Sequence, residues 1–188
     1  MKRMVSGVLL IALIALVAAV PAAASTFLAM DRTELVREAD AVVQGRVLKV
    51  ESFWEPTGTV IVSEAMVQVE EAVIGRTPTI VRVKTFGGEV DGFYVDAHGF
   101  PTFQADERVL LFLEDDGEDT MRVTGYQLGQ YRLVPGEGGA ELAVPALDEG
   151  ASLLTADGMR APAPEAQPLA ELKDQIRAEA RRLGKSTD

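Results

Sequence analysis

The chain has 188 residues, 47% of them hydrophobic and 25% charged, which is ordinary for a globular protein and enough for one domain with appendages. Its formal net charge of −11 argues against tracking a phosphate backbone, which needs clustered lysine and arginine. There is no cysteine and one histidine, His98, which excludes disulfides, thiolate nucleophiles, Cys-based metal sites, a lipobox thioether anchor and a multi-histidine metal site within one chain.

The first 25 residues have the layout of a secretory signal peptide. Lys2 and Arg3 make a positive start, Val5 to Val20 form an apolar stretch, and Pro21 precedes the small residues Ala22 to Ser25. Cleavage is expected after Ala24, so that residues 1–24 are removed. The apolar stretch is shorter than the ~20 residues that span a bilayer comfortably, which favours cleavage over an uncleaved anchor. Loss of two cations makes the remainder more acidic still. An exported chain without cysteine must rely on its own core.

Asp31-Arg32-Thr33-Glu34 reads as a capping box, with an Asp N-cap and a Glu three residues later. Leu35, Val36 and Ala39 then give a short helix with one apolar face, ended by Asp40. Ala41–Ser52 is rich in valine and carries Gly45 inside it, the pattern of a strand with a bulge or a close backbone approach. Phe53 to Gly58 follows as a predicted loop. Trp54, the only tryptophan, reads either as a lid on the core or as an exposed ligand-stacking residue.

Thr59–Ile74 alternates, with Ala65, Val67 and Val69 on one face and Glu64, Gln68 and Glu70 largely on the other. Gly75 to Pro78 makes a turn into a strand over Thr79–Phe86, so Glu–Arg or Glu–Lys pairs are expected across the solvent face of this meander. Gly87 to Gly92 reads as a turn-rich loop; Glu89 and Asp91 would repel a phosphate. Phe93–Gly99 is expected as a short strand or edge segment. Within it, His98 is a turn residue or, alternatively, a lone general base, metal ligand or ligand-binding residue.

Glu107–Glu114 (ERVLLFLE) holds the strongest apolar run after the N-terminus. Val109 to Leu113 do not alternate, so the spacing predicts a strand covered on both faces. Behind it lie Glu114, Asp115, Asp116, Gly117, Glu118 and Asp119. The acids of this cluster (Glu114, Asp115, Asp116, Glu118 and Asp119) could hold a hard cation such as calcium, though without EF-hand spacing, or form a solvated hairpin tip. Thr120–Tyr126 and Gln130–Val134 are further strands, broken at Leu128-Gly129, and Ala140–Val144 is expected to pair back as a hairpin.

Beyond Pro145 the composition changes. Residues 145–168 read as a linker or loosely packed segment, and 169–188 as a C-terminal helix and tail. Leu169, Leu172, Ile176 and Leu183 line one stripe of that helix, with Arg177, Arg181, Arg182 and Lys185 late in it, where cations suit the helix dipole. The stripe is expected to dock on the barrel rather than on a partner helix.

These features together predict a mainly β fold: a small antiparallel OB-like barrel over residues 25–144, flanked by a short N-terminal helix and a C-terminal helix. The succession ADAVVQGRV, VQVEEAVIG, TFGGEV, ERVLLFLE and LGQYRLV resembles a group of short secreted bacterial proteins. More distantly it is similar to the OB-like barrel of netrin and metalloproteinase-inhibitor domains. The resemblance covers about Asp31 to Val134. Those inhibitors present an N-terminal cysteine to the protease zinc, and this chain has none, so no functional residue carries over.

The function expected from the sequence is an exported, non-enzymatic β-barrel module, periplasmic or extracellular, that binds a protein or envelope component. No cofactor, no nucleic-acid partner and no stable membrane span after signal cleavage are expected. One alternative is a secreted hydrolase using carboxylates, although 29 acids offer too many pairs to nominate one and no G-x-S-x-G elbow is present. The other is a calcium-linked module acting through residues 114–119.

Overall fold

The computed structural model describes residues 26–148 and 151–187; the expected signal segment, residues 1–24, lies outside them. The fold is mainly β, with two α-helices. In chain order the elements are β1 (Thr26–Leu28), α1 (Arg32–Glu38), β2 (Ala41–Trp54), β3 (Ile61–Ile74), β4 (Ile80–Phe86), β5 (Gly88–Val90), β6 (Phe93–Val95), β7 (Arg108–Gly117), β8 (Thr120–Val123), β9 (Gln130–Pro135), β10 (Glu141–Pro145), β11 (Ser152–Leu154), β12 (Arg160–Ala161), β13 (Gln167–Pro168) and α2 (Leu169–Arg182).

The largest sheet runs β13-β10-β9-β7-β2-β3-β4-β8, and β8 also pairs with β7. Pairing therefore passes around a barrel-like ring of five strands, β7-β2-β3-β4-β8. All links in that ring are antiparallel except β4–β8, which is a single parallel bridge between Val83 and Met121. One edge of β7 is shared. Its first half pairs with β9 and its second half with β8.

β7 is the strand common to two cores. Val109, Leu111 and Leu113 point into the barrel with Val43, Val47, Val67 and Val83. Leu110 and Phe112 point the other way, into a layer built from Leu35, Val36, Leu172, Ile176 and others. All five residues of the run are fully buried. Each buried side chain of this size contributes about 1.5–3 kcal/mol of transfer free energy. Covering both faces is the reason the run does not alternate.

β2 also serves both cores, Ala41 and Val43 inward and Val42 outward. Its register against β3 shifts at Gln44/Gly45, where Glu70 of β3 is the extra residue, and at two further points. A Cβ on Gly45 would collide with the carbonyl oxygen of Gln68, so the close approach expected there is real. The strand runs on through Phe53 and Trp54, pairing with Val62 and Ile61, and the loop starts only at Glu55. Both aromatics favour the strand that their partners offer.

The expected capping box forms: Glu34 N–H donates to Asp31 Oδ1 and Asp31 N–H to Glu34 Oε2, both at 2.8 Å. The C-terminal helix docks on the body of the protein, burying Leu169, Leu172, Ile176 and Ala180. A polar chain ties it there. Lys173 Nζ donates to Gln44 Oε1 at 3.0 Å and to Glu71 Oε2 at 2.8 Å, and Arg177 also pairs with Glu71. Gln44 passes the chain to Glu70, and Arg108 closes it by pairing with Glu70 and Glu141. The bulge in β3 matters here, because it lets the successive residues Glu70 and Glu71 both join one network instead of facing opposite ways.

The segment expected as a linker carries β11, β12 and β13. β11 pairs in parallel with β1, and Leu153 enters the outer core. Its alanine- and proline-rich composition hid this, since two- and three-residue strands leave no periodicity to read. None of the helices among the described residues is long and apolar enough to cross a membrane.

Candidate functional site

Past the Val83–Met121 bridge, β4 and β8 form no further register pair, and a cleft of about 430 Å³ opens over the seam. Its floor is set by alternation along the strands. Val83 faces the barrel, so Lys84 and Phe86 stand on either side of inward-facing Thr85 and reach the outside. On the other wall, Glu114 of β7 lies opposite Arg122 of β8. Arg122 donates to Glu114 at 2.9 Å and to Asp116 at 3.2 Å, and these carboxylates hold the guanidinium pKa above its ordinary value, Glu114 most of all. Among the described residues the Lys84 ammonium has no ion-pair or hydrogen-bond partner.

The upper wall is aromatic. The Phe86 and Phe100 ring centroids are 4.9 Å apart with planes at 69°, and Phe100 and Tyr126 are 5.0 Å apart at 86°. These are edge-to-face contacts, which suit the ring quadrupoles and leave a socket between near-perpendicular walls. Phe86 is 46% exposed and Tyr126 53%. Tyr126 also holds φ at +58°, directly after Gly125 at +66°. A bulky residue in the left-handed region is strained and persists only where its surroundings enforce it.

Those surroundings are specific. Three consecutive carbonyls, of Phe100, Pro101 and Thr102, each accept a hydrogen bond from a buried side chain. Gln127 Nε2 donates to Phe100 O at 3.2 Å, Thr85 Oγ1 to Pro101 O at 2.8 Å, and Gln130 Nε2 to Thr102 O at 2.8 Å. Gln127 Oε1 also accepts from the Asp148 N–H at 3.0 Å, and Asp148 Oδ2 accepts from the Gly99 N–H at 3.3 Å. Buried amides and hydroxyls placed this way fix a loop rigidly, because any displacement leaves polar atoms unpaired in a low-dielectric interior. The Phe100 ring is therefore held between Phe86 and Tyr126 by polar groups beneath it.

A second cleft, of about 250 Å³, shares Thr85, Phe86 and Pro101 with the first and runs toward the β5–β6 hairpin. That hairpin exposes Phe93 and Tyr94. Gly88 must be glycine there, since a Cβ would strike the hydroxyls of Ser52 and Ser63, and its φ is +128°.

The residues singled out from the sequence are not brought together. Trp54 is 37% exposed at the end of β2, edge-on to Phe93 at 5.8 Å, and belongs to neither buried core cluster. The side chain of His98 is exposed in the turn before Gly99, with Nδ1 3.7 Å from Asp96. The acidic cluster is split by strand geometry. β7 continues to Gly117, so Glu114 and Asp116 face Arg122. Asp115 instead accepts from the Gly117 N–H at 2.9 Å, and Glu118 and Asp119 form the tip with positive φ. Among the described residues no group of three or more His, Cys, Asp or Glu is arranged to hold a metal ion.

Phe86, Phe100, Tyr126 and Lys84 were not foreseen as a site. The available signals were weak: an aromatic directly before Gly87-Gly88, one between Gly99 and Pro101, and one directly after Gly125. Glycine-flanked aromatics sit where the backbone turns, and turns are where large side chains are left facing water. Comparison of the chain with family models, curated proteins and solved structures gives no match.

Proposed function

We propose that the protein is an exported, non-enzymatic β-barrel module that binds a protein or envelope component through the aromatic socket. The observation that carries this reading is the rigid mounting of exposed aromatics. Phe86, Phe100 and Tyr126 line a cleft, two of them about half exposed, over a loop whose three carbonyls are each held by a buried donor. Pre-organised aromatic anchors are what binding surfaces use, since they bring large contact area at little entropic cost. In the same cleft Glu114 and Asp116 are both engaged by Arg122, so the nearest carboxylates are committed to an ion pair.

Export is supported by the basic start, apolar stretch and small-residue site of residues 1–24. An OB-like barrel is supported by the ring of five strands, partly open at β4–β8, since OB folds are five-stranded, partly open Greek-key barrels.

The test is affinity capture of envelope and secreted proteins with a tagged chain starting at Ser25. A reproducible partner that is lost on Phe86→Ser/Tyr126→Ser is the expected result. A partner retained by that double variant, or hydrolase activity lost with Glu107→Gln and kept in surface-acid variants, overturns it.

A further inference from the structure

Resting on the binding-module reading, we infer that the socket takes an extended peptide segment of a partner protein, laid along the open edge of β4 as an added strand. One large apolar side chain of the segment seats in the cleft against the exposed parts of Phe86 and Tyr126, and an acidic group of the segment meets Lys84.

Four observations converge on this occupant. The first is the main chain. In the β3–β4 ladder Gly87 N–H bonds to Ile61 O and Val69 N–H bonds to Thr79 O, so the odd-numbered residues of β4 direct their peptide groups at β3. The alternation of an antiparallel pair then turns the peptide groups of Lys84 and Phe86 toward the seam. There the one bridge to β8 takes up the Arg82 carbonyl and the Lys84 N–H, and beyond it the Lys84 carbonyl and the Phe86 peptide groups form a short edge of the kind that peptides extend by strand addition.

The second is that, among the described residues, a side-chain hydrogen bond crosses the seam on one side only, although clefts flank the bridge on both. Below the bridge, Arg82 reaches across and donates to the carbonyl of Glu118 at 3.0 Å. Above it, toward Phe86, the cleft of about 430 Å³ separates the two strands. The third is ring geometry. Planes at 69° between Phe86 and Phe100 and 86° between Phe100 and Tyr126 give the cleft an angled apolar wall, which suits a bulky apolar side chain. The fourth is charge. Lys84 is the cation of the cleft with no partner among the described residues, whereas Arg122 is already paired with both Glu114 and Asp116. An unpaired ammonium beside an apolar socket complements a carboxylate near the apolar residue of the segment.

The experiment selects from a displayed library of short unstructured peptides on the immobilised chain starting at Ser25. The recovered sequences are then measured as free peptides by calorimetry and by amide hydrogen exchange. The expected consensus is a large apolar residue with an Asp or Glu close to it. Binding should weaken by about tenfold or more with Phe86→Ala and with Tyr126→Ala, as for anchor pockets. Lys84→Gln should weaken it and flatten its salt dependence, and the exposed Lys49→Gln should leave it unchanged. The Phe86 amide should gain exchange protection on binding, which a side-chain-only contact would not give.

Peptides that bind but are indifferent to Phe86→Ala, or that leave the Phe86 amide unprotected, overturn strand addition at this seam while the binding-module reading stands. Recovery of no peptide, or binding of an oligosaccharide array in its place, also overturns the inference. The capture experiment above then decides the broader reading by itself.

Discussion

Thr85 Oγ1 donates to the carbonyl of Pro101 at 2.8 Å, joining the inner face of β4 to the loop that carries Phe100. Thr85→Val keeps the shape and removes the donor, leaving a buried carbonyl unpaired. The expected cost is about 1–3 kcal/mol in urea unfolding. The same variant should weaken partner binding although Thr85 is buried, because Phe100 loses its support. Unchanged stability together with unchanged binding would show that the loop is held by Gln127 and Gln130 alone.

The two faces of β7 are separately testable. Leu111→Ala opens a cavity in the barrel and should cost about 2–5 kcal/mol; Phe112→Ala opens one beneath the helices and should cost about 3–5 kcal/mol. Chemical denaturation measures both. A near-neutral value at either position would mean that the cover on that face is not maintained in solution.

Acid should act on the network under α2. The hydrogen bond from Arg108 lowers the Glu70 pKa by more than burial raises it. Burial pushes Glu71 up, but the hydrogen bond and charge of Lys173, with the charge of Arg177, outweigh it and leave Glu71 below its usual value. Carboxyls lowered in the folded state contribute stability above the unfolded pKa, about 4.3, and that stability is lost as pH falls through the folded values. Glu107 has the opposite sign. Burial raises its pKa against the opposing Gln104 N–H and the charge of Arg132, so its contribution is present at low pH and lost as pH rises through the folded value. Urea midpoints across the acid range should therefore fall less steeply on acidification in Glu71→Gln than in the parent. Glu107→Gln should lose the decline on the rising side. An unchanged acid limb in Glu71→Gln would remove Glu71 from the account.

Calcium should leave the melting temperature unchanged. A ligand that binds only the folded state raises it by mass action, and β7 sends Asp115 away from Glu114 and Asp116, which already face Arg122. A concentration-dependent rise, lost in Asp116→Asn, would restore the acidic tip as a cation site.

The parts of the fold legible in the sequence were those with a local cause. The capping box at Asp31 and Glu34 is four residues long, and the five-residue apolar run of β7 needs no partner to be recognised. The apolar stripe at Leu169, Leu172 and Ile176 repeats within one helix. The socket had no such cause. Phe86, Phe100 and Tyr126 are scattered along the chain, and they meet because Thr85, Gln127 and Gln130 find carbonyls far from themselves in sequence. The short strands of residues 151–168 were illegible for a related reason: each exists only through its pairing partner. The acidic run was legible as a hairpin tip but not in detail, since consecutive charges look like one cluster until a strand deals them to opposite faces.

The pairing of β1 with β11 has a kinetic consequence. Thr26 finds Ser152, and Leu28 finds Leu154, across most of the chain. In synthesis from the N-terminus, β1 therefore has no β11 to pair with until more than three quarters of the polypeptide has been made. Closing so large a separation costs loop entropy before the contact rewards it, so this three-residue pairing is expected to form late in folding.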